Sequence, residues 1–215
     1  MNNTMRSKLH YLALVFALII FSCNKKNTFT DYKFSNEKPV IDCPNQNNAL
    51  FNEALYSFEN DLNRNYSKLS GQNLTLAYSR FINGVVNNRI KLTDIASKHS
   101  VEVFQALKNE NIWDAENPRS HLDYNSPFFK CLVQNIKETK LQTTLNALLE
   151  TNYMSPELFG APLASNYRAV VTDKYLAAYV AFDMFYAKLF DEDLSLVNLK
   201  SDPYEAVDFN KIPRN

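Results

Sequence analysis

Apolar positions recur along this chain at helical spacing. In "NNALFNEALYSFENDLNRNY", Leu50, Phe51, Ala54, Leu55, Phe58 and Leu62 share one face, and Asn47 or Asn48 can cap the start. In "NLTLAYSRFINGVVNN", Leu74, Ala77, Tyr78, Phe81, Ile82 and Val85 do the same, between a capping Asn73 and a terminating Asn87–Asn88. A short turn is expected around Thr93–Ser97, after which Ser100 can cap "VEVFQALKNE", with Val103, Phe104 and Leu107 inward. The pattern breaks over 111–125, which reads as a surface loop whose Ile112 and Trp113 dock back onto the core. Ser126–Pro127 opens a helix lined by Phe128, Phe129, Leu132, Val133 and Ile136. Leu141, Leu145, Leu148 and Leu149 mark the next, up to Asn152. Ser155–Pro156 repeats the cap for a short helix that Gly160 and Pro162 should stop.

The last block, "DKYLAAYVAFDMFYAKLFD", is apolar nearly all round, with Tyr175, Tyr179, Phe182, Tyr186 and Leu189 as one stripe. Such a helix is packed by neighbours on several sides and is expected at the centre. Beyond Asp191 the chain turns polar and is expected to wrap the surface. The pattern predicts an all-α fold, an irregular bundle of about six or seven helices.

Two segments lie outside this periodicity. Residues 11–21 form an uncharged apolar run, with Arg6 and Lys8 before it and the small Ser22 after it. A bilayer-spanning helix needs ~20 apolar residues, so the shorter run reads as the core of a signal peptide over 1–22. Residues 24–46, "NKKNTFTDYKFSNEKPVIDCPNQ", are polar and carry Pro39 and Pro44. With Cys23 they read as a disordered tether over 23–46, with an average reach of ~25 Å. A single helical domain is expected over 47–215.

The residues Ile20, Phe21, Ser22 and Cys23 resemble the lipobox of bacterial lipoproteins, with an aliphatic residue three before the cysteine and a small one just before it. The resemblance implies that Cys23 takes a diacylglycerol on sulfur and becomes the acylated N-terminus, with the lipid bilayer as its partner. Each buried CH₂ contributes ~0.8 kcal/mol, so two or three acyl chains hold durably where one holds marginally. Asn24 stands in place of an inner-membrane retention aspartate, and Lys25 and Lys26 in place of an acidic surface-export cluster. By that resemblance the protein faces the periplasm from the outer membrane. The tether and the segments "NALFNEALYSFEND" and "LFGAPL" are similar to lipoproteins of flavobacteria-like Bacteroidota, which implies a location and no activity.

Composition narrows the classes further. Hydrophobic content of 46% and charged content of 21% are those of a globular protein. Loss of the leader would leave 21 basic residues against 23 acidic ones. That is no basic field for a phosphate backbone, so nucleic acid is not an expected partner. Glycine occurs only at Gly71, Gly84 and Gly160, so the glycine-rich phosphate-binding and nucleophile-elbow motifs are absent.

Candidate chemistry is sparse. With Cys23 lipidated, Cys43 and Cys131 remain as a disulfide candidate in an oxidising periplasm, or as two buried thiols too far apart to bond. After the leader only His99 and His121 remain. "HLD" at 121–123 lacks a nearby third ligand, and His99 sits at a helix boundary where capping explains it, so neither metal nor cofactor is expected. Asp183 lies inside the apolar last helix and needs a partner or a raised pKa; Arg168 is the candidate. The pair reads as a structural ion pair or as a polar site in a cavity. The tyrosine stripe reads as core or as a ligand groove.

The expectation is a membrane-anchored envelope lipoprotein whose helical domain binds another envelope protein or has a structural role, without catalysis. The alternatives are a periplasmic hydrolase-like enzyme and a carrier of small apolar ligands. Cys23→Ala should abolish palmitate labelling and release the protein from the membrane fraction; unchanged fractionation would sink the anchor.

Overall fold

The computed structural model describes residues 29–66, 73–117 and 119–198. Cys23, the expected signal peptide over 1–22 and the tail beyond 198 lie outside these residues. The described chain is all-α, with one isolated antiparallel bridge between Trp113 and Leu122. In order come α1 (Asn48–Tyr66), α2 (Leu74–Val86), α3 (Leu92–Ile95), α4 (Lys98–Leu107) and α5 (Pro127–Asn135). Then follow α6 (Thr139–Glu150), α7 (Pro156–Ser165), α8 (Tyr167–Thr172), α9 (Lys174–Tyr179) and α10 (Ser195–Asn198). The elements beyond the expected six or seven are short: α3, α8 and α10.

Most boundaries follow local chemistry. Asn73, Ser126 and Ser155 accept from the backbone N–H three residues on, as expected of N-caps. Asn88 and Asn152 take positive φ where α2 and α6 end. Two expectations fail. Ser97, not Ser100, caps α4, because Ser100 lies within the helix and donates its own N–H to the Ser97 hydroxyl. Helix α7 runs past Gly160 and Pro162 to Ser165. Gly160 is a contact point rather than a stop: a Cβ there would lie 2.5 Å from Val86 of α2. Pro162 costs only the bond to the carbonyl of Leu158, which sits on the exposed side.

The last apolar block does not stay α-helical. After α9 it widens into a π-helical segment, Val180–Tyr186, then tightens into a 3₁₀ turn, Ala187–Asp191. Every residue of the π segment is buried, which places it at the centre as the apolar pattern predicts. Its rings mesh with those of α1, α2 and α5. Phe182 meets Phe128 at 4.6 Å and Phe51 at 5.4 Å, and Phe185 meets Phe58 at 5.1 Å. Tyr179 and Tyr186 are 1% and 0% exposed, packed against Phe159 and Phe185, so the stripe from Tyr179 to Leu189 is core, with Tyr175 half-buried at its edge.

Residues 29–46 are not a free tether. Asn52 accepts from the N–H groups of Val40 and Ile41 at 2.7 and 3.0 Å, and its amide donates back to Ile41 O at 2.8 Å. Glu53 accepts from the N–H groups of Lys33 and Phe34, and Tyr56 donates to Lys38 O. Ile41 and Cys43 are fully buried. A polar sequence can be ordered when side chains of a neighbouring helix satisfy its backbone, and here one polar face of α1 does so. The arm is closed by the disulfide Cys43–Cys131, with Cα atoms 5.8 Å apart, which ties it to α5.

That bridge closes a loop of 88 residues. In the chain-entropy model such a loop stabilises by about 4–5 kcal/mol. Thiol titration of the unreduced chain should find neither Cys43 nor Cys131 free. The Cys43→Ser, Cys131→Ser double variant should unfold at markedly lower urea; an unchanged midpoint would show that the bridge leaves stability untouched.

Candidate functional site

The loop over 111–126 folds back through the Trp113–Leu122 bridge, with Asp123 N donating to Ile112 O and Asp114 N to His121 O. Ile112 is fully buried, and the Trp113 indole N–H donates to Leu107 O at 2.6 Å, so both residues dock as expected. This fold-back brings Ser120 and Tyr124 over the π segment, where Asp183 is fully buried. The Ser120 hydroxyl donates to Asp183 Oδ1 at 2.5 Å, and Tyr124 OH lies 3.2 Å from both carboxylate oxygens.

The expected Asp183–Arg168 pair does not form. Arg168 is exposed on α8 and lies over the ring of Tyr167 at 5.9 Å. Asp183 faces the loop, and its compensation comes mainly from neutral hydroxyls, with a smaller contribution from the Lys188 charge. Burial therefore dominates and pushes the carboxyl up to about 6, against the opposing pull of Ser120, Tyr179 and Tyr124. The Tyr179 hydroxyl favours the charged carboxylate without a hydrogen bond of ordinary geometry. Burial, and then the Asp183 charge, drive the Tyr124 and Tyr179 hydroxyls well above their usual value.

Depressions open on each side of this anchor. One, of about 290 Å³, is lined by Asp183, Ser120, His121, Lys188 and Asp191. His121 is paired with Asp191 at 3.0 Å and stacked on Phe190 at 4.7 Å. The other, of about 470 Å³, runs between the loop and helices α5 and α6, with Tyr124 and Phe129 as aromatic wall and Asn125, Gln134 and Asn146 among its polar lining. Asn117 and Arg119 line both. Arg119 donates to Asn152 O at 2.6 Å and lies over the ring of Tyr153, which is 60% exposed.

A second polar cluster was missed from sequence. Asp61 Oδ2 accepts from Ser97 N at 2.8 Å and from the Ser100 hydroxyl at 2.6 Å, and Ser57 bonds Ser100 at 2.6 Å. Burial raises the Asp61 carboxyl, opposed by Arg64 and by these hydrogen bonds. The signal was present: Glu53, Ser57 and Asp61 follow one another at intervals of four, a polar stripe on α1 beside its apolar face. His99 belongs to the same seam. It is 6% exposed, and Nε2 lies 2.7 Å from Glu53, so it is no capping residue.

The chain matches no protein-family model, no curated protein and no solved structure. Among the described residues no helix is long and apolar enough to cross a membrane. The geometry alone therefore bears on function.

Asp183 yields a pH test. Its carboxyl holds a proton more tightly when folded, at about 6, than at the ordinary 3.8 of an exposed aspartate. Its stabilising contribution is complete below the lower value and is lost as pH rises through about 6. The loss is on the order of 3 kcal/mol. Urea unfolding of the wild type relative to Asp183→Asn should show this loss between pH 4 and pH 7; a constant difference would show that Asp183 titrates as if exposed.

Proposed function

We propose that this protein is a lipid-anchored lipoprotein of the cell envelope, facing the periplasm, and that its helical domain works by non-catalytic binding of a partner protein. The observation that carries the binding reading is the preformed polar cleft with the Arg119–Tyr153 stack beside it. Arginine and tyrosine dominate interface energetics because each offers a large rigid face with a polar end. Side-chain amides such as Asn125, Gln134 and Asn146 can both donate to and accept from a peptide backbone. The closed Cys43–Cys131 bridge supports an oxidising compartment. Only residues 24–28 separate Cys23 from the docked arm, so an acylated Cys23 would hold the domain within about 20 Å of the lipid.

The enzyme reading has one observation in its favour: Asp183, Ser120 and His121 line the same small depression. Ser120 is a poor nucleophile there. Its proton goes to Asp183 and its oxygen accepts from Leu122 N, so both sides of the hydroxyl hold the loop. His121 is turned to Asp191 instead.

A photo-crosslinker placed at Asn125 in the envelope-bound protein should capture one defined protein. Arg119→Glu should abolish the adduct, and a crosslinker at Asn83 on α2 should give none. Equal capture from both positions, or none from Asn125, would refute the cleft as a binding face. Ester or amide hydrolysis lost in Ser120→Ala would establish the enzyme instead.

A further inference from the structure

His99 has one nitrogen accounted for and one that is not. Nε2 lies 2.7 Å from Glu53 Oε1. The Glu53 carboxylate already accepts the N–H groups of Lys33 and Phe34, at 2.8 and 3.0 Å, so it serves as an acceptor and Nε2 carries the proton. In the neutral imidazole this leaves the lone pair on Nδ1. Nδ1 is buried and has no hydrogen-bond partner among the described residues. It is aimed at Asp31 Oδ2, 3.6 Å away. A lone pair facing a carboxylate oxygen is repulsive unless positive charge lies between them.

The spacing suits a shared cation. With metal–ligand bonds of ~2.1 Å at the tetrahedral angle, neighbouring ligand atoms lie ~3.4 Å apart. Nδ1 and Asp31 Oδ2 are close to that separation and beyond an ordinary hydrogen bond. Glu102 supplies a third ligand atom. It stands three residues after His99 on α4, on the same face, and the ligand atoms of Asp31, His99 and Glu102 all lie within 4.8 Å of one another. A depression of about 280 Å³, lined by Phe29, Asp31, Glu102 and Asn109, leaves room for water or a further ligand. Behind the imidazole, Glu53 fixes the orientation of the ring, the usual carboxylate–histidine–metal arrangement.

We propose that Asp31, His99 and Glu102 form a binding site for a divalent transition-metal cation, with Zn²⁺ the best fit to one imidazole and two carboxylates, and with Glu53 positioning His99. The site stands independently of the cleft and of the lipid anchor. It joins the docked arm, through Asp31, to α4, and so forms a second clasp besides the Cys43–Cys131 bridge. Hard cations such as Mg²⁺ select all-oxygen ligands and should not compete.

Equilibrium dialysis of the purified, chelator-stripped chain against Zn²⁺ tests this. One Zn²⁺ per chain should bind, unaffected by excess Mg²⁺. Asp31→Asn and Glu102→Gln, both at exposed positions, should each weaken binding at least about tenfold while leaving the metal-free melting temperature unchanged. The His99 Nδ1 resonance should shift on titration. Absence of binding, or wild-type affinity in both variants, would overturn the site. A His99 ring protonated on both nitrogens at neutral pH and unmoved by Zn²⁺ would also overturn it, leaving an imidazolium between Asp31 and Glu53.

Discussion

Helix α1 buries three carboxylates, and the fold is arranged to satisfy them. Glu53 is met by two N–H groups of the arm and by His99 of α4. Glu59 is met by the Tyr78 hydroxyl of α2 and by Lys174 of α9, at 2.9 and 2.7 Å. Asp61 is met by Ser97 and Ser100, and by Arg64 of its own helix at 3.3 Å. A buried charge without partners costs several kcal/mol, so each of these neighbours is held to its place by the penalty for leaving it. The apolar face of α1 makes the core, and its polar face selects which elements lie against the other side.

The π segment plays the complementary part. Its residues are all buried, and its one carboxylate, Asp183, is hydrogen-bonded by hydroxyls. Those hydroxyls come from the loop over 111–126, which forms one wall of each depression. One buried group thus positions the surface on which the binding reading rests. Asp173 does similar work nearby: it caps α9 through the N–H groups of Tyr175 and Leu176 and also accepts from Lys137 and Glu138 N at the α5–α6 turn.

Much of this was legible locally. The apolar faces of α1, α2 and α5 were readable from period alone, as were the caps at Asn73, Ser126 and Ser155, because each depends on residues within one or two turns. The pairing candidate Cys43 and Cys131 rested on the lipobox resemblance, which implies that Cys23 is taken by lipid. The arm was not legible, since its order depends on Asn52, Glu53 and Tyr56 of a different segment. The partner of Asp183 was misread for a like reason. Arg168 is near it in sequence, but Ser120 and Tyr124 reach it only after the loop folds back. The polar stripe Glu53–Ser57–Asp61 and His99 could have been noticed together, though nothing in the spacing says that α4 would cover the stripe.

The sequence by itself determined the all-α class, the order of the main helices and the burial of the last apolar block, because these follow from short-range periodicity. Only the tertiary structure decided that residues 29–46 dock, that α9 opens into a π segment, that Asp183 answers to hydroxyls, and that Asp31, His99 and Glu102 converge. Those outcomes are fixed by which buried polar group finds which partner, and that depends on distances between segments far apart in the chain.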